Sequence, residues 1–299
     1  TADYSGTFVS QSGADAPATI VYALGISAPN VDSGLIDSAT GQHILLVLNG
    51  TTVEGHVGAN DGPLAFTLGI NAATGEVTLT DLRAMQHPDA SNPNDSVHLD
   101  NIPNLVTLTA TITDADGDST SAVFDLGKQI SFNDDGPVIS AAGDAGTVYE
   151  ADLPAGTVQD ASGLTATGHL HIEWGADNAN PTSGAGAHDR SVAFTNNSVT
   201  VMGDDGSTVS HLTSNGQTVH YMLSGGELIG YTGSSAHPNQ VFTVSLNDGG
   251  DGSYTCALRG TLDDPKTGDA LTFTFNYSAT DSDGDTSSST FTVTVQDDH

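Results

Sequence analysis

Leu271-Thr-Phe-Thr-Phe-Asn-Tyr-Ser-Ala-Thr-Asp281-Ser-Asp-Gly-Asp285, continued by Thr286-Ser-Ser-Ser-Thr-Phe-Thr-Val-Thr-Val295, reads as a strand, a tight turn and a second strand. Leu271, Phe273, Phe275 and Tyr277 alternate with Thr272, Thr274, Asn276 and Ser278. Beyond the turn, Phe291, Val293 and Val295 alternate with Thr292 and Thr294. Alternation of period two sends the apolar set to one face of a sheet and the polar set to the other. The turn itself sets Asp281, Asp283 and Asp285 at alternate positions, with Gly284 free to take the positive φ that a short turn needs. Two like charges about 4 Å apart repel by about 1 kcal/mol in water and about 4 kcal/mol at an effective dielectric of 20. A hard divalent cation relieves that repulsion, and calcium takes roughly 6–8 oxygen ligands. Ca2+ is therefore the cofactor this pattern calls for.

The pattern occurs twice. Asp114-Ala-Asp-Gly-Asp118 follows the alternating run 105–113, in which Val106, Leu108, Ala110 and Ile112 face one way, and precedes another run at 120–126. Each copy is followed by paired acids, Asp134-Asp135 and Asp297-Asp298. Asn71, Arg83 and His87-Pro88 match Asn247, Arg259 and Asp264-Pro265 in the same order. The chain is thus a diverged internal repeat whose loops differ in length.

Other strand-like runs lie at 19–24, 43–48, 51–57, 64–70, 76–79 and 129–132 in the first half. In the second half they lie at 148–153, 167–174, 198–202, 208–212, 217–223, 227–232, 240–246 and 252–258. Gly, Asn, Asp and Pro clusters separate them. Nothing reads as a long amphipathic helix, and 81–85 offers one turn at most. The expectation is an all-β chain of two tandem antiparallel β-sandwich modules, 1–136 and 137–299, with a longer loop at 175–190 in the second. A length of 299 residues suits two modules, each able to bury a core.

Lys and Arg number 5 against 37 acids, for a net charge of −32. Only 5 of those acids are Glu, so the excess is Asp, a residue of turns and oxygen cages more than of helices. Adaptation to salt is the other source of such a balance. This charge disfavours nucleic acid and anionic lipid as partners. No apolar run approaches the roughly 20 residues that span a bilayer, so no membrane insertion is expected. No leader is visible, and a first residue of Thr1 reads as a segment of a longer chain. Cys256 is the only cysteine and alternates with Tyr254 and Leu258, as a buried structural thiol would.

Three carboxylates do not fill a calcium shell. The expected metal residues are Asp114, Asp116 and Asp118 in the first turn, and Asp281, Asp283 and Asp285 in the second. Asp134, Asp135, Asp297 and Asp298 follow the last strands, and Glu150 and Asp152 open the second module. Asp134 and Asp135 are expected to share an ion with Glu150 and Asp152 where the modules join. The turns depart from the EF-hand loop, lacking its Glu at the twelfth position and its flanking helices.

These motifs, in this order, resemble the tandem cadherin-like and Ig-like repeats of large bacterial repeats-in-toxin (RTX) adhesins exported by type I secretion. Val31-Asp-Ser-Gly-Leu35, Val53-Glu-Gly55, His87-Pro-Asp89 and Asn92-Pro-Asn-Asp-Ser96 carry the likeness in the first half. Tyr149-Glu-Ala-Asp-Leu-Pro154 and Gly163-Leu-Thr-Ala-Thr-Gly168 carry it in the second. The resemblance implies a secreted, cell-surface module for cell adhesion and biofilm, stiffened by calcium, with neighbouring repeat modules of the same adhesin as partners. The family includes rhizobial adhering proteins, whose paired domains bind acidic exopolysaccharide with calcium. The glycine-rich nonapeptide repeats of the same secretion class are absent.

That likeness gives an alternative, a calcium-dependent lectin gripping polysaccharide. Its expected ligand residues are Trp174, Asp177, Asn178, His188 and Asp189, in and beside the 175–190 loop. An exposed Trp there would stack on a sugar ring; a buried one would be core. His169 and His171 flank Leu170, with no third metal ligand evident nearby in sequence. No catalytic motif appears: the chain has no Gly-x-Ser-x-Gly elbow, phosphate loop or His-Glu-x-x-His, so no enzyme is expected.

Overall fold

The computed structural model describes residues 1–11, 18–90, 92–181, 188–263 and 270–298. The chain divides into two compact units. Unit 1 holds residues 1–135 together with His188 and Asp189, and unit 2 the rest.

Unit 1 contains β1 (Ala2–Asp3), β2 (Thr19–Ile26), β3 (Val31–Ile36), β4 (His43–Asn49), β5 (Thr52–Val57), β6 (Leu64–Ile70), β7 (Glu76–Asp81), β8 (Ser96–His98), β9 (Val106–Thr113), β10 (Ser119–Asp125) and β11 (Ser131–Asn133). One sheet runs β1-β7-β6-β5-β4-β3 and another β10-β9-β2, while β8 and β11 form a short ribbon. Leu46, Val53, Phe66 and Leu68 from the first sheet meet Tyr22, Leu24, Val106 and Leu108 from the second in a single core. Two sheets sharing one core make a β-sandwich. Buried Asp37 is clamped by Arg83, with Nε donating to Oδ1 at 2.6 Å and Nη2 to Oδ2 at 3.0 Å. Burial pushes that carboxyl up, but the Arg83 hydrogen bonds and charge and the Thr40 hydroxyl outweigh it and hold Asp37 below its ordinary range.

Unit 2 contains β12 (Val138–Ile139), β13 (Gly146–Tyr149), β14 (Thr165–His169), β15 (Ile172–Glu173), β16 (Ser191–Phe194), β17 (Thr200–Gly203), β18 (Thr213–Ser214), β19 (Gln217–Thr218), β20 (His220–Ser224), β21 (Glu227–Ser234), β22 (His237–Asn247), β23 (Ser253–Leu258), β24 (Ala270–Thr280) and β25 (Thr286–Gln296). Its sheets run β13-β25-β24-β16, with β17 also on β24, and β14-β23-β22-β21-β20. The alternation read in sequence decides the packing. Leu271, Phe273, Phe275 and Tyr277 are all buried, as are Phe291, Val293 and Val295 on the paired strand. The fold is all-β, with antiparallel sandwiches throughout apart from the parallel pair β13–β25.

Several details differ from expectation: the run at 148–153 is strand only as far as Tyr149 and then a 3-10 turn, and that at 217–223 is split into β19 and β20. Residues 81–85 make no helical turn: Asp81 closes β7, and Met85 bridges to Asp37. The run at 167–174 is two strands, broken where His171 takes φ 56°. The run at 208–212 forms no strand, only a bridge from Thr208 to Met202.

Glycine opposite an aromatic ring recurs as a packing device. Gly55 faces Phe66 across β5 and β6, and Gly230 faces Phe242 across β21 and β22. A Cβ at either glycine would lie 2.3 Å from the facing ring's Cε1. Each ring lies over a bare backbone that no other residue offers. Gly55→Ala and Gly230→Ala are each expected to cost about 1–3 kcal/mol by overpacking, read as a lowered denaturant midpoint at unchanged slope. A midpoint equal to wild type would show that the rings move aside freely.

Candidate metal centres

The turn at 281–285 is closed by its own backbone. Asp281 N–H donates to Asp285 O at 3.1 Å. Asp281 Oδ1 accepts from Gly284 N–H at 3.0 Å and Asp285 N–H at 2.8 Å, with Gly284 at φ 119°. This curls the chain around the carboxylates. One oxygen each from Asp281, Asp283 and Asp285 lies within 4.8 Å of the others. Asp281 and Asp285 are 2% and 1% exposed. Asp281 Oδ2 is buried and has no hydrogen-bond partner among the described residues. Burial, then the hydrogen bond and charge of Asp283, push the Asp281 carboxyl up to about 8, against the pull of the Gly284 and Asp285 N–H groups.

Asp177 joins this turn. Its backbone oxygen accepts from Ser282 N–H at 3.0 Å, and one of its carboxylate oxygens lies within 4.8 Å of one from Asp283. Sequence placed Asp177 in a sugar-binding loop; the structure places it, buried, against the acidic turn.

The first turn repeats the backbone but not the environment. Asp114 N–H donates to Asp118 O at 3.0 Å, and Asp114 Oδ1 accepts from Gly117 and Asp118 at 3.2 and 2.9 Å. Asp114, Asp116 and Asp118 again converge within 4.8 Å, yet Asp116 and Asp118 are exposed. A side-chain hydrogen bond with Asp116, helped by backbone N–H groups, holds Asp114 below its ordinary range. One motif thus gives a water-facing cluster in unit 1 and a buried one in unit 2.

The paired acids share a local geometry too. Asp135 N–H donates to Asp134 Oδ1 at 2.7 Å, and Asp298 N–H donates to Asp297 Oδ1 at 2.8 Å. Their surroundings differ. Asp134 meets His87 and Asp95, which sequence did not single out as ligands. Asp298 accepts from Thr157 N–H at 3.0 Å, and the Thr157 hydroxyl also donates to it. Within its own unit, parallel pairing of β13 with β25 carries Glu150 past Gln296, to the charges of Asp263, Asp297 and Asp298. Burial first, then those charges, push its carboxyl up to about 7, although Oε1 accepts from Leu262 N–H at 2.7 Å. Asp152 lies one turn on, against Gly163.

Among the described residues of the expected ligand loop, Trp174 turns its ring inward. Trp174 is 6% exposed and packs in the unit 2 core. Its Nε1–H donates to Gly250 O at 2.9 Å, and the Arg190 guanidinium lies 4.6 Å over its ring. Asn178 donates to Gly175 O at 3.0 Å, so its amide closes the loop on itself. His188 and Asp189 belong to unit 1, while Trp174, Asp177 and Asn178 belong to unit 2. Residues 182–187 lie outside the described residues. His169 and His171 do gain acidic partners, Asp251 at 2.7 Å and Asp144 at 2.8 Å, so each imidazole is already hydrogen-bonded to a carboxylate. Burial pushes the Cys256 thiol up to about 12, out of range for a nucleophile at neutral pH.

A family model described as a domain of unknown function (DUF5801) matches residues 1–127, less than half the chain. No curated protein matches the sequence. Among solved structures, the chain is similar to protocadherin gamma B2 extracellular cadherin domains 1–5, at TM-score 0.28 and 11% identity, covering 94% of this chain and 40% of that one. It is similar to zebrafish RET cadherin-like domains 1 to 4 at TM-score 0.20 and 9% identity, covering 94% and 42%. Protocadherin gamma B2 domains 3–6 give TM-score 0.23 and 10% identity, covering 94% and 51%. The chain therefore spans 40% to 51% of the length of these structures, and likenesses this distant carry no functional argument.

Asp281 generates a prediction whose sign is fixed. Its folded pKa, about 8, lies above the ordinary 3.8. Without metal, the stability its proton contributes is complete below pH 3.8 and is lost as pH rises through about 8. Metal-free protein is therefore expected to melt higher at pH 5 than at pH 8.5. Calcium uptake at pH 7 should release protons, seen as a calorimetric heat that depends on the buffer's ionisation enthalpy. Equal heats in all buffers would show that Asp281 is already ionised.

Proposed function

We propose that this chain is a calcium-binding tandem β-sandwich module of an extracellular bacterial adhesin, a structural piece that extends or presents a binding region. The observation that carries the reading is Asp281. Its carboxylate is buried, one oxygen lacks a partner among the described residues, and two further acids of the same turn converge on it. Asp281, Asp283 and Asp285, with Asp177 beside them, are an all-oxygen set, the chemistry of calcium rather than of a soft metal. Bound there, calcium would supply the positive charge that the turn lacks.

The physical consequence is a chain whose folding depends on its surroundings. Where calcium is scarce, the buried acids repel and unit 2 is weakened. Where it is plentiful, binding energy becomes folding energy, since the unfolded chain has no such cage. That suits export through a type I system in a loose state, followed by folding outside the cell, and a net charge of −32 opposes collapse on the way. In unit 2 the acidic turn and the paired Asp lie at opposite ends of the closing strand β25. Modules built this way suit joining to neighbouring modules of the same adhesin. The lectin alternative drew on an exposed Trp174, which is buried, so we do not pursue it.

Calcium at about 100 times its dissociation constant stabilises the folded state by about 2.7 kcal/mol. For a domain of about 150–250 residues that is roughly 5–10 °C in melting temperature. EDTA is expected to lower the melting temperature by about that amount, and Asp281→Asn to remove most of the difference while melting no lower than wild type in EDTA. Scattering should show the particle stiffening with calcium. A melting curve indifferent to EDTA would sink the proposal.

A further inference from the structure

We propose that His87, Asp95 and Asp134 form a binding site for a divalent transition metal, zinc in the first instance, distinct in chemistry from the all-oxygen turn of unit 2. Three separate segments of unit 1 build it. Gln86 N–H donates to Ile36 O at 2.8 Å, which pins the segment after β7 and buries His87. Asp95 immediately precedes β8 and Asp134 immediately follows β11. The register Ser96↔Asn133 sets the two acids side by side, and Asp134 N–H donates to Asp95 O at 3.1 Å. One ligand atom from each residue lies within 4.8 Å of the other two.

The hydrogen bonds decide which atoms face inward. His87 Nε2 is 3.2 Å from Phe132 O. A carbonyl only accepts, so Nε2 carries the proton and Nδ1 is left to face the acids. Nδ1 lies 3.3 Å from Asp134 Oδ1, and the two side chains are 2% and 0% exposed. A neutral imidazole there would set a lone pair against a carboxylate. Asp134 Oδ2 and Asp95 Oδ1 are also buried, with no hydrogen-bond partner among the described residues. Asp95 Oδ2 is held by Asp89 N–H at 3.3 Å. His87 and Asp95 are thus each oriented by a bond at the far side while their near atoms converge with those of Asp134, the arrangement of a metal site with its supporting shell.

Imidazole selects the ion class. Calcium takes oxygen ligands, whereas zinc takes His and Asp together. The other way to satisfy the pocket is an imidazolium ion-paired to Asp134, which needs no metal; the test separates the two.

The full-length chain, held in excess calcium, is titrated with zinc chloride by calorimetry. One zinc equivalent should bind despite the calcium. His87→Gln should weaken zinc at least about tenfold and leave the response to EDTA in calcium buffers unchanged. No zinc equivalent in excess calcium, or one retained in His87→Gln, overturns the proposal. Should that variant fail to fold, wild-type protein answers alone. Zinc must shift the nitrogen-15 resonance of His87 Nδ1 while Nε2 stays protonated, and crystals must show anomalous density there at the zinc edge. Density only at His169 and His171, or no shift, overturns it equally. Zinc is read at His87 and calcium in the response to EDTA, so failure of the zinc proposal and failure of the calcium reading are separate results.

Discussion

Carboxylates gathered where water cannot reach them are the constraint on which this chain turns. In water such a cluster costs little; in a half-buried turn each neighbouring pair at about 4 Å costs about 4 kcal/mol at an effective dielectric of 20. The chain shows both limits with nearly the same five residues. Asp114 and its neighbours lie in the open, and Asp114 ionises more readily than usual. Asp281 is buried, and its carboxyl holds a proton up to about pH 8. Backbone curl is the same in the two turns, down to two N–H groups donated to the first Asp. Burial, and not the motif, sets the two turns apart.

Topology explains why the acids gather at strand ends. Along a sandwich strand every second side chain belongs to the core, as Phe273, Phe275 and Tyr277 do, and charge is excluded there. The other face is left to Thr and Ser. Only turns and strand exits can collect carboxylates without breaking the alternation. In unit 2 the turn at 281–285 precedes β25 and the pair Asp297-Asp298 follows it, so an eleven-residue strand separates them. At about 3.3 Å per residue that is roughly 36 Å. The parallel strand β13 then delivers Glu150 to the far end, since its register with β25 leaves no other exit.

The sequence made the strands legible where alternation was clean and the turns where glycine and Asp coincided; β24 and β25 fall where the pattern puts them. It hid β3 because Asp32, Ser33 and Gly34 look like a turn. Ser33 is in fact buried, its hydroxyl donating to Ile44 O at 2.7 Å, and Gly34 takes φ 82° at an irregular register. It left Trp174 open between core and loop surface, because nothing local says whether a Trp beside a polar loop turns inward; Gly250 O and Arg190, distant in sequence, settle that. His87 went unread for the same reason. Its partners lie 8 and 47 positions away, and only the β8–β11 register brings them together. Local chemistry can be read along a chain, whereas long-range neighbours come from packing.

Divergence between the repeats has therefore acted on partners more than on local structure. Asp134 and Asp297 cap the next residue's N–H in the same way, within 0.1 Å. Yet the first faces an imidazole and the second the charge of Glu150. Arg83 clamps a buried Asp37, whereas Arg259, its counterpart in the repeat, reaches Thr243 Oγ1 at 3.5 Å. Gly55 under Phe66 and Gly230 under Phe242 keep the packing device that both sandwiches need. A scaffold that fixes where carboxylates end up, and lets one residue from elsewhere choose what they face, can change the chemistry of a cluster without changing its fold. An all-oxygen cluster and a mixed nitrogen–oxygen one then follow from the same turn-and-exit geometry, and the single imidazole of His87 makes the difference.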